Sequence, residues 1–303
     1  MTILALFGPT GVGKTELAIA VADRLRARGE RPVAVSADAL QVYRGLEILT
    51  GAADAHDRER LEHRMVAIIP VDQTFSVAQY AERAHHEIDD ILGAGGTPIV
   101  VGGTGLYLRA ALAELDLRPP PPPGVREALM ADVAARGPEA LHADLAARAP
   151  AVAATIDPRD RHRVVRALEL DAQGALDDAP PAPAENRLWT TDTRRPTRLI
   201  ALTMDRDELR ARIDARVDAM VAAGARDEVL AADAAGASAT ARKALGFAEL
   251  LAGDVDAMRR RTRNYAKRQL SWMRKLAGAE LVDVTGSEPD DVAAELLGAA
   301  AAA

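Results

Sequence analysis

Residues 8–15 read GPTGVGKT, and the reading of this stretch decides the fold. Gly8, Gly13, Lys14 and Thr15 keep the spacing G-x-x-x-x-G-K-[ST] of a phosphate-binding loop. TILALF before it is a short apolar run that suits a buried strand, and ELAIAVADRL after it has helical periodicity. Strand, glycine-rich turn and helix N-terminus therefore come in the order a phosphate cradle needs. The cradle comprises Gly8, Pro9, Thr10, Gly11, Val12, Gly13, Lys14 and Thr15. Its glycines let backbone N–H groups point inward, and the dipole of the following helix favours an anion. Lys14 is placed to reach the outer phosphates, and Thr15 to hold a magnesium ion.

A phosphate loop alone does not make an ATPase or a kinase. Those enzymes add an apolar strand that ends in a metal-holding acid. The best later strand here, in TPIVVGGTGLYLRA, ends in glycines and Thr104. The nearest acid comes instead from PVAVSADALQVYRGLEI, where the strand PVAVS delivers Asp38 to a strand's C-terminal end. Open α/β sheets place their ligands at that edge. Phosphates on one side with a carboxylate and a hydroxyl on the other give the layout of a transfer reaction.

Outward from the loop, residues 1–117 alternate strand and helix: strands at 2–7, 32–36 and 98–102, and helices at 14–28, within 77–93 and from Gly105. That pattern predicts a parallel, helix-covered α/β sheet of the P-loop NTPase-like kind. RPPPPPG at 118–124 interrupts it, and residues 125–172 read as helical throughout, as REALMADVAARG, PEALHADLAARA and RHRVVRALELDAQG. The Pro/Asp-rich GALDDAPPAPAEN that follows reads as a loop. TRLIALTM reads as a strand rejoining the sheet, and residues 206–276 are again helical. The predicted division is a core at 1–117, a mainly helical insertion at 118–197 and a completing segment at 198–303. The alanine-rich end AAELLGAAAAA is expected to fray.

The chain has 303 residues, 49% of them hydrophobic, enough for a substantial core. It has no cysteine, which excludes disulfides and thiolate metal sites and suits a reducing cytoplasm. No apolar run reaches membrane-spanning length, and the first is already used as a strand. The six histidines have no metal-ligand spacing. The net charge of −7 hides local basic clusters. Residues 257–279 contain no acid but carry Arg259, Arg260, Arg261, Arg263, Lys267, Arg268, Arg274 and Lys275. DPRDRHRVVRALEL packs Arg159, Arg161, Arg163 and Arg166 together. Local basic patches on an acidic protein point to a specific polyanion. A helical arm inserted into a phosphate-binding core is a means of holding a macromolecule.

These segments together resemble the tRNA dimethylallyltransferases, also called tRNA isopentenyltransferases. The resemblance rests on GPTGVGKT, SADALQVYRGLEI, FS at 75–76, VGGTGLYLRA, DPRDRHRVVRALE, RIDARVDAMVAAG, LGFAEL and YAKRQLSWMRK, in that order over nearly the full chain. It implies transfer of a dimethylallyl group from dimethylallyl diphosphate to the exocyclic amine of the adenine 3′ to the anticodon. It further implies Asp38 as general base, Thr104 as the hydroxyl on the bridging oxygen, and Lys14, Arg216 and magnesium around the diphosphate. Ser36, Asp38, Ala39, Leu40 and Gln41 would line the wall that receives the adenine. The residues matching tRNA-contacting positions are Asp38, Ala39, Leu40, Gln41, Thr104, Arg126, His162, Arg163, Val164, Val165 and Arg166. Lys267, Arg268 and Gln269 are candidates for phosphate contacts, Trp272 for a core anchor, and Tyr43, Tyr107 and Tyr265 for either stacking or packing. The expected partners are the anticodon stem-loop of tRNA and the prenyl diphosphate, with no membrane, and a cytoplasmic monomer is expected.

The chain departs from the family pattern where GTAKP is usual and LTGAAD stands at 49–54, and where paired histidines are reduced to Glu62 and His63. Two other readings follow from the same core: an adenylate isopentenyltransferase acting on free AMP, ADP or ATP, which needs no RNA arm, and a small-molecule kinase with a P-loop.

Overall fold

A computed structural model describes residues 2–117, 121–176, 188 and 190–299. Two compact units result, Met1–Asp116 with Arg187–Ala303 and Leu117–Asn186. The insertion thus closes earlier than the expected residue 197. The reason is local: Arg194 is held by Asp89 and Glu114 at 2.9 and 2.7 Å, and its N–H donates to the Leu112 carbonyl, all within the core unit.

The core sheet has six strands in the order β3-β2-β4-β1-β5-β6. They are β1 (Ile3–Phe7), β2 (Pro32–Ser36), β3 (His63–Arg64), β4 (Thr97–Gly102), β5 (Thr197–Thr203) and β6 (Glu280–Asp283), and every pairing is parallel. β1 is buried along its whole length. This is why ILALF is apolar without alternation, as a parallel strand covered on both faces must be. The short edge strands carry too few apolar residues to be visible in the sequence. β3 pairs only Ala34 and Val35 of β2, and β6 is largely exposed.

Helices cover both faces. α1 (Lys14–Ala27) opens directly from the phosphate loop, with Gly13 at φ 96° as its cap residue. After β2 come the short α2 (Glu47–Thr50) and α3 (Ala55–Arg60), then α4 (Val77–Gly93). Ser76 and Gln79 start α4 with a reciprocal capping box. α5 (Gly105–Leu112) follows β4. Later in the chain α10 (Arg206–Ala222), α11 (Ala225–Ala234), α12 (Phe247–Leu251), α13 (Val255–Met273) and α14 (Pro289–Ala299) complete the unit. The alanine-rich end does not fray over its described part: Val292, Ala293, Leu296 and Leu297 of α14 share the core cluster of Leu17, Val21 and Leu25 on α1. Residues 300–303 lie outside the described residues.

The second unit holds α6 (Val125–Arg136), α7 (Pro138–Arg148), α8 (Pro150–Ala153) and α9 (Arg161–Ala172). It has its own small core of Leu141, Leu145, Ala149, Ala153, Val164, Ala167 and Leu168. Residues 118–120 of the proline connector and 177–186 of the Pro/Asp-rich loop lie outside the described residues. No helix among the described residues is long and apolar enough to cross a membrane.

Candidate active site

The C-terminal edge of the sheet carries the loops that sequence reading selected. β1 leads into the phosphate loop, β2 into Asp38, and β4 into Gly103 and Thr104. Because β1 is flanked by β4 and β5 while β2 lies beyond β4, these loops diverge at a topological switch point, where open α/β sheets bind ligands. They surround one cavity of about 260 Å³. Thr10, Gly11, Gly13, Lys14 and Thr15 line it, together with Asp38, Ala39, Leu40, Gln41, Thr104 and Arg216. The rest of the cradle acts beneath the surface. The Gly8 and Pro9 carbonyls accept from Lys14 Nζ at 3.0 and 2.9 Å, and Val12 is buried in the core.

Burial lowers the Lys14 ammonium to about 8, and the Arg216 charge beside it adds to the fall, while Asp38 and Glu16 oppose it. Burial likewise lowers the Arg216 guanidinium, again against Glu16 and Asp38. Two cations held at a cost in one cavity, with backbone N–H groups beside them, form a receptor for a multiply charged anion. Arg216 Nη2 donates to the Gly51 carbonyl at 3.2 Å, and its Nε is buried with no hydrogen-bond partner among the described residues. Gly51 has φ +57°, a backbone conformation that favours glycine, and a Cβ there would stand 1.8 Å from Arg216 Nη2, so a side chain would displace this arginine from its present position.

Asp38 follows β2, and its Oδ1 accepts the Leu40 N–H at 2.9 Å. No helix begins at Leu40; the chain turns there, so the bond shapes a loop and leaves the other carboxylate oxygen for chemistry. Gln41 also faces the cavity, with its amide fixed: Ser36 Oγ donates to it at 2.7 Å, and it donates to the Gly51 carbonyl at 3.2 Å. Thr104 occupies the residue before α5 but its side chain does not cap that helix. Its Oγ1 lies 3.1 Å from the Tyr265 hydroxyl instead. Burial pushes that phenol up to about 12, with Asp38 adding to the rise, so Tyr265 is neutral and able to orient Thr104.

On α13, the basic run is less bare than its sequence suggests. Arg259 pairs with Asp218 and Asp256, Arg261 with Glu249 at 2.7 Å, and Arg263 with Asp214 at 2.7 Å. Lys267 and Arg268 remain exposed without a carboxylate partner among the described residues, and the Arg268 guanidinium stacks 5.4 Å over Tyr265. Gln269 is corrected from a phosphate contact to a buried tie, accepting from Thr10 N–H and donating to the Gly103 carbonyl, both at 2.8 Å. Trp272 packs on the backbone of Gly105, as an anchor would. Tyr43 and Tyr107 pack in the core rather than on a base, Tyr107 against Tyr80 at 4.7 Å between ring centres.

In the second unit, His162 and Arg163 are exposed at the start of α9. Val164 and Val165 are buried, so their side chains cannot touch RNA; they seat the helix. Arg126 and Arg166 converge on the fully buried Glu169 carboxylate, at 2.5 and 2.9 Å from Arg126 and 3.0 Å from Arg166. That use was not visible in the sequence, since nothing there marked Glu169 as buried.

A family model described as IPP transferase matches residues 41–276, which take in Gln41, Thr104, Arg216 and Lys267. The chain belongs to the IPP transferase family. It is 38% identical over 293 residues to the tRNA dimethylallyltransferase of Clavibacter sepedonicus, covering 93% of each chain. It is 41% identical over 286 residues to that of Thermobifida fusca, covering 90% of this chain and 87% of the relative. The crystal structure of the tRNA isopentenylpyrophosphate transferase of Bacillus halodurans aligns with a TM-score of 0.70 at 33% identity, over 99% of this chain and 96% of that one. In this IPP transferase the divergent LTGAAD segment keeps a clear task, because its Gly51 carbonyl joins Gln41 to Arg216.

The residues present fit magnesium. Thr15 offers a hydroxyl beside the cradle, with Asp38 and Glu16 in the same cavity, and Mg²⁺ takes few protein ligands when phosphates and water supply the rest. No group of three or more His, Cys, Asp or Glu side chains suits a metal ion on its own among the described residues.

Proposed function

We infer that this chain is a tRNA dimethylallyltransferase, moving the dimethylallyl group of dimethylallyl diphosphate to the exocyclic amine of the adenine 3′ to the anticodon. The observation that carries the reading is the single cavity in which a phosphate cradle, Asp38 and Thr104 meet, while β4 ends in glycines and not in an acid. A P-loop kinase would be expected to add a metal-holding acid at such a strand end. The coverage of relatives bearing this name includes the helical insertion, which favours RNA over free nucleotides as acceptor.

The diphosphate lies on the N–H groups of Gly11 to Thr15, with Lys14 and Arg216 on its charged oxygens. Bound magnesium, held at Thr15, would neutralise part of the leaving group's charge. Thr104 donates to the bridging oxygen as the bond from that oxygen to the allylic carbon breaks. The amine nitrogen of the adenine forms the new bond to that carbon, and its surplus proton passes to Asp38. Diphosphate leaves, and Asp38 returns its proton to water. Lys267 and Arg268 on α13 are exposed cations available to RNA phosphates, and the second unit separately offers exposed His162 and Arg163. The adenine must be splayed out of its stack before its amine can react.

The test is incubation with labelled dimethylallyl diphosphate and magnesium, with an anticodon stem-loop, AMP or ATP as acceptor. Label in the stem-loop alone is the expected result. Label in AMP would make the chain a free-nucleotide prenyltransferase, and ATP hydrolysis without transfer would make it an ordinary P-loop enzyme.

A further inference from the structure

Gln269 is buried at 4% exposure on the inner face of α13, and both ends of its amide are used. Oε1 accepts the Thr10 N–H of the phosphate loop at 2.8 Å, and Nε2 donates at 2.8 Å to the Gly103 carbonyl, one residue before Thr104. A Cβ at position 103 would lie 2.2 Å from Nε2 and 2.9 Å from the Gly8 carbonyl, so the two turns and the amide fit without slack. The same face of α13 presents Tyr265 to the Thr104 hydroxyl, four residues earlier and one helical turn away. The helix therefore touches the Thr104 turn twice and the phosphate loop once.

We propose that Gln269 is a positioning residue that fixes the distance between the diphosphate cradle and Thr104. The proposal deepens the prenyl-transfer reading and rests on it for the role of Thr104. The physical argument is geometric. The Thr104 hydroxyl must meet the bridging oxygen of a diphosphate whose outer oxygens are already held by Lys14 and the loop. These groups stand on separate strands, and side-chain amide bonds of fixed length are the means by which α13 holds their ends together. Using Thr10 N–H in this tie also leaves phosphate binding to the later N–H groups of the loop, from Gly11 to Thr15. A misplacement on the order of 1 Å at such a site costs about 100-fold in rate.

Gln269→Met keeps the shape and removes both bonds. The experiment combines it with Thr104→Val, singly and together, in the full chain. Two quantities are read: binding of inorganic diphosphate with magnesium by calorimetry, and kcat and KM for transfer to the stem-loop. Gln269→Met is expected to weaken diphosphate about tenfold and lower kcat about 100-fold, with KM for RNA within about threefold. In the Thr104→Val background the same change should cost less than about threefold in kcat, because the hydroxyl it positions is gone. Losses that multiply independently, or a Gln269→Met enzyme equal to the parent, would overturn the proposal. If Gln269→Met does not fold, Gly103→Ala displaces the same amide and must show the same non-additivity. A parent protein that binds diphosphate but transfers nothing would sink the prenyl-transfer reading, and the diphosphate measurements alone would still decide whether Gln269 braces the cradle.

Discussion

Asp38 makes one bond that is seen, to the Leu40 N–H, and has one role that is proposed, as the base, and one substitution can separate them. Asn at this position keeps an oxygen for the Leu40 N–H, bonded at 2.9 Å in the parent, but cannot take a proton. Asp38→Asn is therefore expected to lower kcat by roughly 10²–10⁴ in single turnover while leaving donor KM nearly unchanged. Near-parental activity would make Asp38 a turn residue only. Lys14 makes a pH prediction. Its ammonium titrates at about 8 in the free protein because of burial and Arg216. A bound diphosphate supplies the missing counter-charge and restores the proton, so binding at pH values about 8 and above takes up protons. Donor affinity should be level between about pH 7 and 8 and fall above that, by up to tenfold per pH unit, with Lys14→Arg abolishing the slope. Calorimetry in buffers of different ionisation enthalpy reads the proton uptake directly. At this scale the sequence was informative where chemistry is local. The cradle, Asp38 and Thr104 each sit beside their own strand, so spacing and pattern reveal them. Gly51 was opaque, because its purpose lies in Arg216, 165 positions away. Gln269 was misread for the same reason, its partners Thr10 and Gly103 standing 259 and 166 positions off.

The helices show why charge in a sequence is an unreliable map of charge on a surface. The arginines of α13 arise from one segment, but the acids that neutralise them come from α10 and α12, among others. On α9, Arg163 and Arg166 look equivalent in RHRVVR and behave differently in the fold. Arg163 is 71% exposed and only 3.8 Å from Asp160, whereas Arg166 shares the buried Glu169 with Arg126. Arg163→Ala should weaken stem-loop binding uniformly and reduce the slope of log affinity against log salt by about 1, leaving the melting temperature unchanged. Removing Arg126 and Arg166 together should instead unfold the second unit, since an unpaired buried carboxylate costs about 3–5 kcal/mol. Replacing Glu169 by Leu in that double variant should restore folding, because an apolar side chain needs no partner there. Circular dichroism of the three proteins distinguishes the two kinds of arginine. If Arg126→Ala/Arg166→Ala melts like the parent, the buried Glu169 carboxylate does not depend on these two arginines.

Across the whole molecule, the α/β alternation of residues 1–117 was legible because parallel strands buried on both faces must be continuously apolar. The closing elements were not legible, because their stability is borrowed from distant partners. β6 gains its place by pairing with β5 from Ile200 to Thr203, and α14 by covering α1. An alanine-rich tail has little intrinsic signal beyond helix propensity, yet Val292, Leu296 and Leu297 fall on one face and are buried. This matters for the site, since α1 begins at Lys14 and its register on the sheet sets the direction of the cradle's N–H groups. Leu296 is buried in the core cluster and does not line the cavity. Leu296→Ala should therefore cost about 2–5 kcal/mol of stability, as expected for a leucine that is 2% exposed. The same variant, assayed well below its midpoint, should keep parental kcat and donor KM, because a helix that is folded at all is folded in one register against the sheet. Denaturant unfolding and steady-state kinetics on one preparation test both halves. A variant with parental stability would show that α14 lies loosely on the core, and one with normal stability but impaired donor binding would mean that the tail, not the sheet, aligns the cradle.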